Sequence, residues 1–355
     1  MTFNDVLEIK NGRNQKAVEN PNGRYPIYGS GGIIGRADDY ICDAQTVVIG
    51  RKGSINNPIF VEEPFWNVDT AFGLTAKKGI LNPRYLYFFC KNYDFEKLNK
   101  TVTIPSLTKE DLLKIDIDLP SLDDQSSIVQ KLLAAQEIIR LRSAELIFLD
   151  NLIKARFVEM FGDPRFNTKG APVVCLGDLG RWCSGGTPSR SNPEYFKGDI
   201  NWYSAGELNT LFLNGSNEKI TKQAIDNSAA KLLKAGTMLI GMYDTAAFKM
   251  GILKEESASN QACACLEPND KVDIVWLYYE LQLMKDYFLS HRRGVRQKNL
   301  NLGMIKGFEV PIATLPDQKA FTVFVEQTNK SKVVAQKALD KTQHLFDSLM
   351  QKYFG

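Results

Sequence analysis

The sequence predicts an α+β chain of two similar globular domains, each followed by one long helix, with the two helices pairing as an antiparallel coiled coil. A duplication is the first sign. Asp124-Gln125 opens a long periodic segment that closes at Phe161-Gly162, and Asp317-Gln318 opens another that closes at Phe354-Gly355, 193 residues later at both ends. Repeats set architecture before any local pattern does. The second sign is heptad spacing inside these segments. The third is a set of short β-like runs between Gly, Asn and Pro turns in the halves that precede them.

Composition agrees with two domains. A chain of 355 residues exceeds one ordinary domain and leaves room for two cores. Hydrophobic residues at 44% and charged residues at 24% are ordinary globular values, which argues against disorder. No apolar run reaches the roughly 18 residues of a membrane span. Met1-Thr2-Phe3-Asn4-Asp5 lacks the basic and apolar blocks of a signal peptide. A cytoplasmic protein without membrane contact is expected.

In the first half, Thr46–Gly50, Pro58–Val61 and Phe72–Ala76 read as strands and Tyr85–Lys91 as a short aromatic helix. In the second, Met238–Met242 and Ala262–Leu266 read as strands and Trp276–Tyr287 as the helix. The copies align element by element. Thr46–Gly50 matches Thr237–Gly241 at an offset of 191, and Phe3, Asp5, Val6, Ile9 and Gly12 match Leu176, Asp178, Leu179, Trp182 and Gly185 at 173. The second copy therefore carries 18 extra residues, around Thr187 to Asp199. Ile117-Asp118-Leu119-Pro120 and Phe308-Glu309-Val310-Pro311 end the two halves with one signature.

Ile128, Leu132, Ala135, Ile139, Arg142, Leu146, Leu149 and Ile153 follow alternating steps of four and three, a heptad seam that Phe157 and Met160 prolong. Pro120 and Ser121 start this helix; Gly162 and Pro164 stop it. At 1.5 Å per residue it forms a rod of roughly 55 Å. The second copy keeps Phe321, Val325, Ala335, Leu339, Phe346 and Tyr353 but sets Thr328, Lys332 and Thr342 on the seam, a weaker zipper. Unpaired amphipathic helices are unstable, so the two are expected to pack on each other. Ile128, Leu132, Ile139, Leu146, Leu149 and Ile153 then face Phe321, Val325, Leu339 and Phe346. The implied divisions are 1–120, 121–162, 163–313 and 314–355.

Catalytic motifs are hard to find. Cys42, Cys90, Cys175, Cys183, Cys263 and Cys265 include no CxxC pair, and the histidines are His291 and His344 alone, so buried reduced thiols are expected rather than a metal site. Gly29-Ser30-Gly31-Gly32-Ile33-Ile34-Gly35 misses the dinucleotide spacing and reads as a tight turn. There is no GxxxxGK[ST] loop. Asn57-Pro58-Ile59-Phe60 lacks the second proline of a methyltransferase motif. Two histidines leave few ways to assemble a nucleophilic triad, and no nuclease-like carboxylate set stands out. The chain reads as a non-enzyme with no metal or cofactor of its own.

A recognition surface remains. No acid lies between Asp286 and Glu309, a stretch holding Arg292, Arg293, Arg296, Lys298 and Lys306, nor between Glu96 and Glu110, which hold Lys97, Lys100 and Lys109. DNA binding needs Lys or Arg for phosphates and polar side chains for base edges. The candidates in the first copy are Ser30, Arg36, Arg51, Lys52, Lys100, Thr101, Thr103 and Ser106. Those in the second are Thr187, Ser189, Arg190, Tyr203, Tyr243, Thr245, Lys249, Arg292, Arg293, Arg296, Gln297, Lys298 and Asn299. Lys100–Ser106 aligns with Arg293–Asn299, and Arg51-Lys52-Gly53-Ser54 with Met242-Tyr243-Asp244-Thr245: one apolar frame with different polar tips.

This pattern resembles the specificity subunits of type I restriction-modification systems. The residues that carry it are Pro120-Ser121-Leu122-Asp123-Asp124-Gln125-Ser126-Ser127-Ile128-Val129, Gly185-Gly186-Thr187-Pro188-Ser189 with Trp202, and Phe161-Gly162-Asp163-Pro164. It departs from the family where Gly12-Arg13-Asn14-Gln15-Lys16 lacks the glycine motif, and where the approach to the second helix is two residues longer. The resemblance implies that each domain reads half of a split double-stranded DNA site while the helices set the spacer. It implies two methyltransferase subunits as partners, which bind S-adenosylmethionine and flip the adenine, with a restriction subunit using ATP and Mg as a further partner. The competing reading is a coiled-coil interaction scaffold without DNA specificity.

Overall fold

The computed structural model describes residues 1–100, 104–292 and 299–355. They form two compact units: Met1–Glu145 with Ala335–Gly355, and Leu146–Val334. Each long helix is divided between the two.

In the first unit, four antiparallel strands run in the order Leu7–Asn11, Ala71–Ala76, Thr46–Gly50, Ile59–Val61. Thr46–Gly50 is buried at every position, the reason it reads as a continuous apolar run rather than an alternating one. A smaller sheet orders Gly32–Ala37, Tyr25–Gly29 and Trp66–Asn67. The glycine cluster is the hairpin between its first two strands, closed across Ser30-Gly31 with Gly29 opposite Gly32. Helix Pro83–Asn92 starts where the Asn82 side chain accepts the N–H groups of Arg84 and Tyr85 and Pro83 supplies a preset φ.

The second unit repeats this plan. Its sheet runs Gly180–Ser184, Cys263–Pro268, Met238–Gly241, Met250–Leu253 in the same antiparallel order, extended by Phe212–Leu213 as a parallel edge. Its small sheet orders Glu218–Ile220, Ile200–Tyr203 and Ala258–Ser259. Asp273 caps helix Ile274–Leu283 as Asn82 caps its counterpart. This helix is shorter than the predicted Trp276–Tyr287. Met284 leaves helical geometry (φ −90°, ψ 1°) and the chain resumes in Lys285–Ser290, which turns Phe288 inward to stack on Phe248 at 4.8 Å and Phe308 at 4.6 Å. Cys42, Cys90, Cys263 and Cys265 are buried free thiols; Cys175 and Cys183 are half-buried.

The long helices are Leu122–Phe161 and Leu315–Phe354. In the first unit Ile128, Val129, Leu132 and Ala135 share a core with Phe346 and Met350. In the second, Ile153 and Phe157 share a core with Phe321 and Val325, with Phe157 edge-on to Phe321 at 5.1 Å. The start of each helix therefore meets the end of the other, and the pair is antiparallel. Ile139, Leu146, Leu149 and Leu339 are only half-buried. The seam is polar there: Arg142 bonds Glu145 at 2.6 Å, and Lys332 reaches Asp150 at 2.5 Å.

Each helix is tied to its unit by a glutamine. Gln125 accepts the Asn82 N–H at 2.8 Å and donates to the carbonyls of Pro120 (3.0 Å) and Ile80 (3.1 Å). Gln318 accepts the Asp273 N–H at 2.7 Å and donates to Ala313 at 2.8 Å. Among the described residues no helix is long and apolar enough to cross a membrane.

Candidate nucleic-acid interface

The strongest candidate surface is the loop leaving the central strand of each large sheet. In the first unit it is Arg51–Ser54. Gly50 makes the turn possible, since a Cβ there would fall 2.4 Å from the Ser54 carbonyl oxygen. The loop is pinned by Leu107 N–H donating to Arg51 O at 2.9 Å and Gly53 N–H donating to Pro105 O at 3.0 Å. Arg51, Lys52 and Ser54 are exposed, with the Arg51 guanidinium 5.8 Å from the Phe72 ring centroid. Ser106 and Ser30 lie beside this loop: Ser106 faces Lys52 across a β-bridge, and Ser30 approaches Gly50 and Gly53.

The second unit builds the same frame. Leu300 N–H donates to Met242 O at 2.8 Å, the counterpart of the Leu107–Arg51 bond. Tyr243, Asp244 and Thr245 occupy the exposed tip, and Asn299 Oδ1 accepts the Asp244 N–H at 3.0 Å. Asp244 has a left-handed backbone (φ 49°), as does Phe248 (φ 56°) at the end of the loop. Both are uncommon for residues with side chains. Lys249 follows, half-buried, donating to Gly206 O at 3.3 Å.

Other candidates are placed differently. Tyr203 corrects the sequence reading: it is 2% exposed in the core of the second unit, because its strand is central in the small sheet. Arg36 is engaged internally by the carbonyls of Gly23 and Arg24, both at 2.6 Å. Arg190 pairs with Glu218 at 2.7 Å and lies 4.3 Å from the Phe196 ring centroid. Both side chains remain exposed while making these local contacts. Lys100 reaches Asp111 at 2.8 Å yet stays exposed. Thr187 bonds Gln261, and Ser189 bonds Ser191 at 2.7 Å. Arg292 donates to Leu289 O at 3.0 Å. Thr101, Thr103, Arg293, Arg296, Gln297 and Lys298 lie outside the described residues.

Among the described residues no cluster of His, Cys, Asp and Glu has a metal-binding arrangement. Cys42 and Cys263 are pushed up to about 12 by burial, which makes them poor nucleophiles. The arrangement offers shaped polar loops on a rigid apolar frame, suited to recognition.

The comparisons with known proteins agree. The family described as type I restriction modification DNA specificity domain matches residues 1–147 and 169–337. The EcoR124I/EcoR124II type I restriction enzyme specificity subunit of Escherichia coli is 22% identical over 228 residues, 60% of this chain and 55% of that protein. A putative type I specificity subunit of Mycoplasma pneumoniae is 26% identical over 168 residues, 42% of this chain and 55% of that one. The chain thus spans about half the length of these relatives. The fold is similar to the crystal structure of the type I restriction-modification S subunit from M. genitalium (TM-score 0.66, 16% identity, covering 100% of this chain and 95% of that one). The duplicated frame and the matches across both halves together carry the assignment: this chain belongs to the type I restriction modification DNA specificity domain family.

Proposed function

We propose that this chain is the non-catalytic DNA-specificity subunit of a type I restriction-modification complex. Each unit reads one half of a bipartite double-stranded site, and the paired helices fix the spacer between the half-sites. One observation carries this reading: the two loop frames share the same pinning bond, Leu107 to Arg51 and Leu300 to Met242, but present different tips. A cationic tip with Arg51 and Lys52 suits phosphates and guanine edges; the Tyr243–Thr245 tip suits other base edges and the thymine methyl.

Two methyltransferase subunits dock on the helices. Apolar side chains stand in solvent on the long helices of each unit, Leu141 at 51% in the first and Phe148 at 63% in the second, which supports a protein partner there. S-adenosylmethionine chemistry belongs to those partners, with ATP and Mg on a restriction subunit where one joins them.

The test is to co-purify the chain with its candidate methyltransferase and map methylated adenines genome-wide, with and without this chain. A bipartite motif that disappears when the chain is deleted is expected. Unchanged methylation with no methyltransferase bound overturns the proposal in favour of a scaffold.

A further inference from the structure

Two thiols face each other at the edge of the second unit's large sheet. Cys183 lies on Gly180–Ser184, a strand with a neighbour on one side only, and its direct partner is Cys265 on Cys263–Pro268. Arg181 and Glu267 form the next pair on the same face, because side chains two apart in a strand point the same way. All four residues line one cavity of about 480 Å³, together with Lys231 and Lys234 of the segment before Met238–Gly241. Small-molecule sites span roughly 300–1,000 Å³. Cys183 is half-buried on this face, and Cys265 is 1% exposed. The sheet does not require the pair: the matching positions of the first unit hold Lys10 and Gly73 in the same register.

The surroundings favour a thiolate at Cys183. The Cys265 thiol donates to its sulfur, and Lys231 and Arg181 add positive charge. Together these outweigh burial and the opposing Glu267, and they hold the Cys183 thiol below its ordinary value. The same bond, with burial, pushes Cys265 up. Lys231 Nζ is held near Cys183 by donating to Ser184 O at 3.2 Å, and Lys234 is engaged by Glu267 at 2.6 Å. A low-lying, accessible thiol beside a second thiol is the arrangement of an oxidisable pair.

The register suits a bond that forms and is readily undone. Gly185 N–H donates to Cys263 O at 3.1 Å and Asn269 N–H to Leu179 O at 3.0 Å, so Cys183 and Cys265 fall on a hydrogen-bonded site of the ladder. Cα atoms at such a site stand about 5.5 Å apart, inside the roughly 4.4–6.8 Å of disulfides, with Cβ atoms at the wide end of their range. Closing the bond draws in an edge strand, and a strained disulfide is easily reduced.

We propose that Cys183 and Cys265 form a reversible oxidation site for small hydroperoxides. The Cys183 thiolate attacks one peroxide oxygen: an S–O bond forms, the O–O bond breaks, and the other oxygen leaves with the proton that Cys183 released. The sulfur is oxidised by two electrons and the peroxide is reduced. Cys265 then attacks the Cys183 sulfur. An S–S bond forms, the S–O bond breaks, and the departing hydroxide takes the Cys265 proton to become water. The site stands on the sheet alone, independently of the function proposed above.

The test treats the full, reduced chain with hydrogen peroxide at neutral pH, blocks the remaining thiols and maps tryptic peptides by mass spectrometry. A disulfide joining the Cys183 peptide to the peptide of Cys263 and Cys265 is expected, reversed by dithiothreitol and retained in Cys263→Ala. Cys265→Ser keeps a hydroxyl donor; it should lose the crosslink and accumulate a sulfenic acid at Cys183, trapped by dimedone. In the untreated parent chain, iodoacetamide should label Cys183 at least about tenfold faster than Cys175, which is also half-buried. That ratio needs no variant, so a misfolded substitution cannot mask the result. Equal labelling of the two thiols overturns the proposal. So does a parent chain in which peroxide leaves Cys183 reduced or stops at the sulfenic acid, or a crosslink that survives in Cys265→Ser.

Discussion

Gln318 accepts the backbone N–H of Asp273 at 2.7 Å, joining the first turn of the second long helix to the cap of the aromatic helix in its unit. Gln125 does the same for Asn82 at 2.8 Å. Both glutamines are almost wholly buried. Gln318→Leu would strand the Asp273 N–H and the Ala313 carbonyl. We expect a loss of about 2–4 kcal/mol in urea unfolding, since each buried orphan costs roughly 1–3 kcal/mol. A loss near zero would show that the tie is dispensable.

The helix seam should be unequal along its length. Phe157 is fully buried among Phe161, Trp276 and Phe321, so Phe157→Ala should cost about 3–5 kcal/mol. Leu149→Ala, half-buried on the same helix, should cost under about 2 kcal/mol. Equal losses in denaturant titrations would contradict a seam that is apolar only toward its ends.

Burial, reinforced by Asp163, pushes Glu280 up to about 8 from its ordinary value of 4.5. An acid whose pKa is higher when folded destabilises the fold as it ionises. The penalty begins above the unfolded pKa, grows to the folded one, and is then constant. Asp317 and Lys169 line one cavity with Glu280 and are common to the parent and the Glu280→Met variant. The advantage of Glu280→Met over the parent should therefore widen between pH 4.5 and 8, on the order of a few kcal/mol, and level off beyond. Melting curves at pH 5 and 8.5 measure it; an advantage that shrinks with pH refutes the assignment.

Exposed and engaged cations should behave differently on DNA. Lys52→Ala is expected to weaken duplex binding and reduce the slope of log K against log salt by about 1, with Tm unchanged. Arg36→Ala removes the guanidinium that holds Gly23 and Arg24, so it should lower Tm instead. Salt titrations beside thermal melts separate the two. If Lys52→Ala leaves the slope untouched, the Arg51–Ser54 loop is not at the DNA.

If the helix pair sets the spacer, removing one heptad from both helices at matching levels shortens it by roughly 10 Å. That corresponds to about three base pairs at 3.4 Å each. Methylation mapping should then return the same half-sites with a shorter gap; an unchanged gap rules the mechanism out.

Much of this architecture was legible in the sequence because it is written twice. Equal helix lengths and the 191 and 193 offsets align strands and loops from the sequence alone, and the pinning bonds of Leu107 and Leu300 sit at those offsets. What a guanidinium touches was not legible. Arg36 and Arg190 look free in the sequence because their partners come from Gly23, Arg24 and Glu218, 12 to 28 residues away. Tyr203 looked like a surface aromatic because nothing local reveals that its strand is central. Two signals could have been used further. The Asp-Gln pair at both helix starts marked Gln125 and Gln318, and the lone acid in Ile274–Leu283 marked Glu280.

The division of the long helices bears on how the protein is made. The second unit is continuous and complete once Val334 has been synthesised, whereas the first is interrupted between Glu145 and Ala335. Its core includes Phe346 and Met350, which lie beyond that interruption. At ~5–20 residues per second, the ribosome needs roughly 10–40 s to bridge the gap. Throughout that interval Phe88, Ile128 and Leu132 wait for the side chains that will cover them. The later unit thus has all its residues before the earlier one has all the side chains of its core.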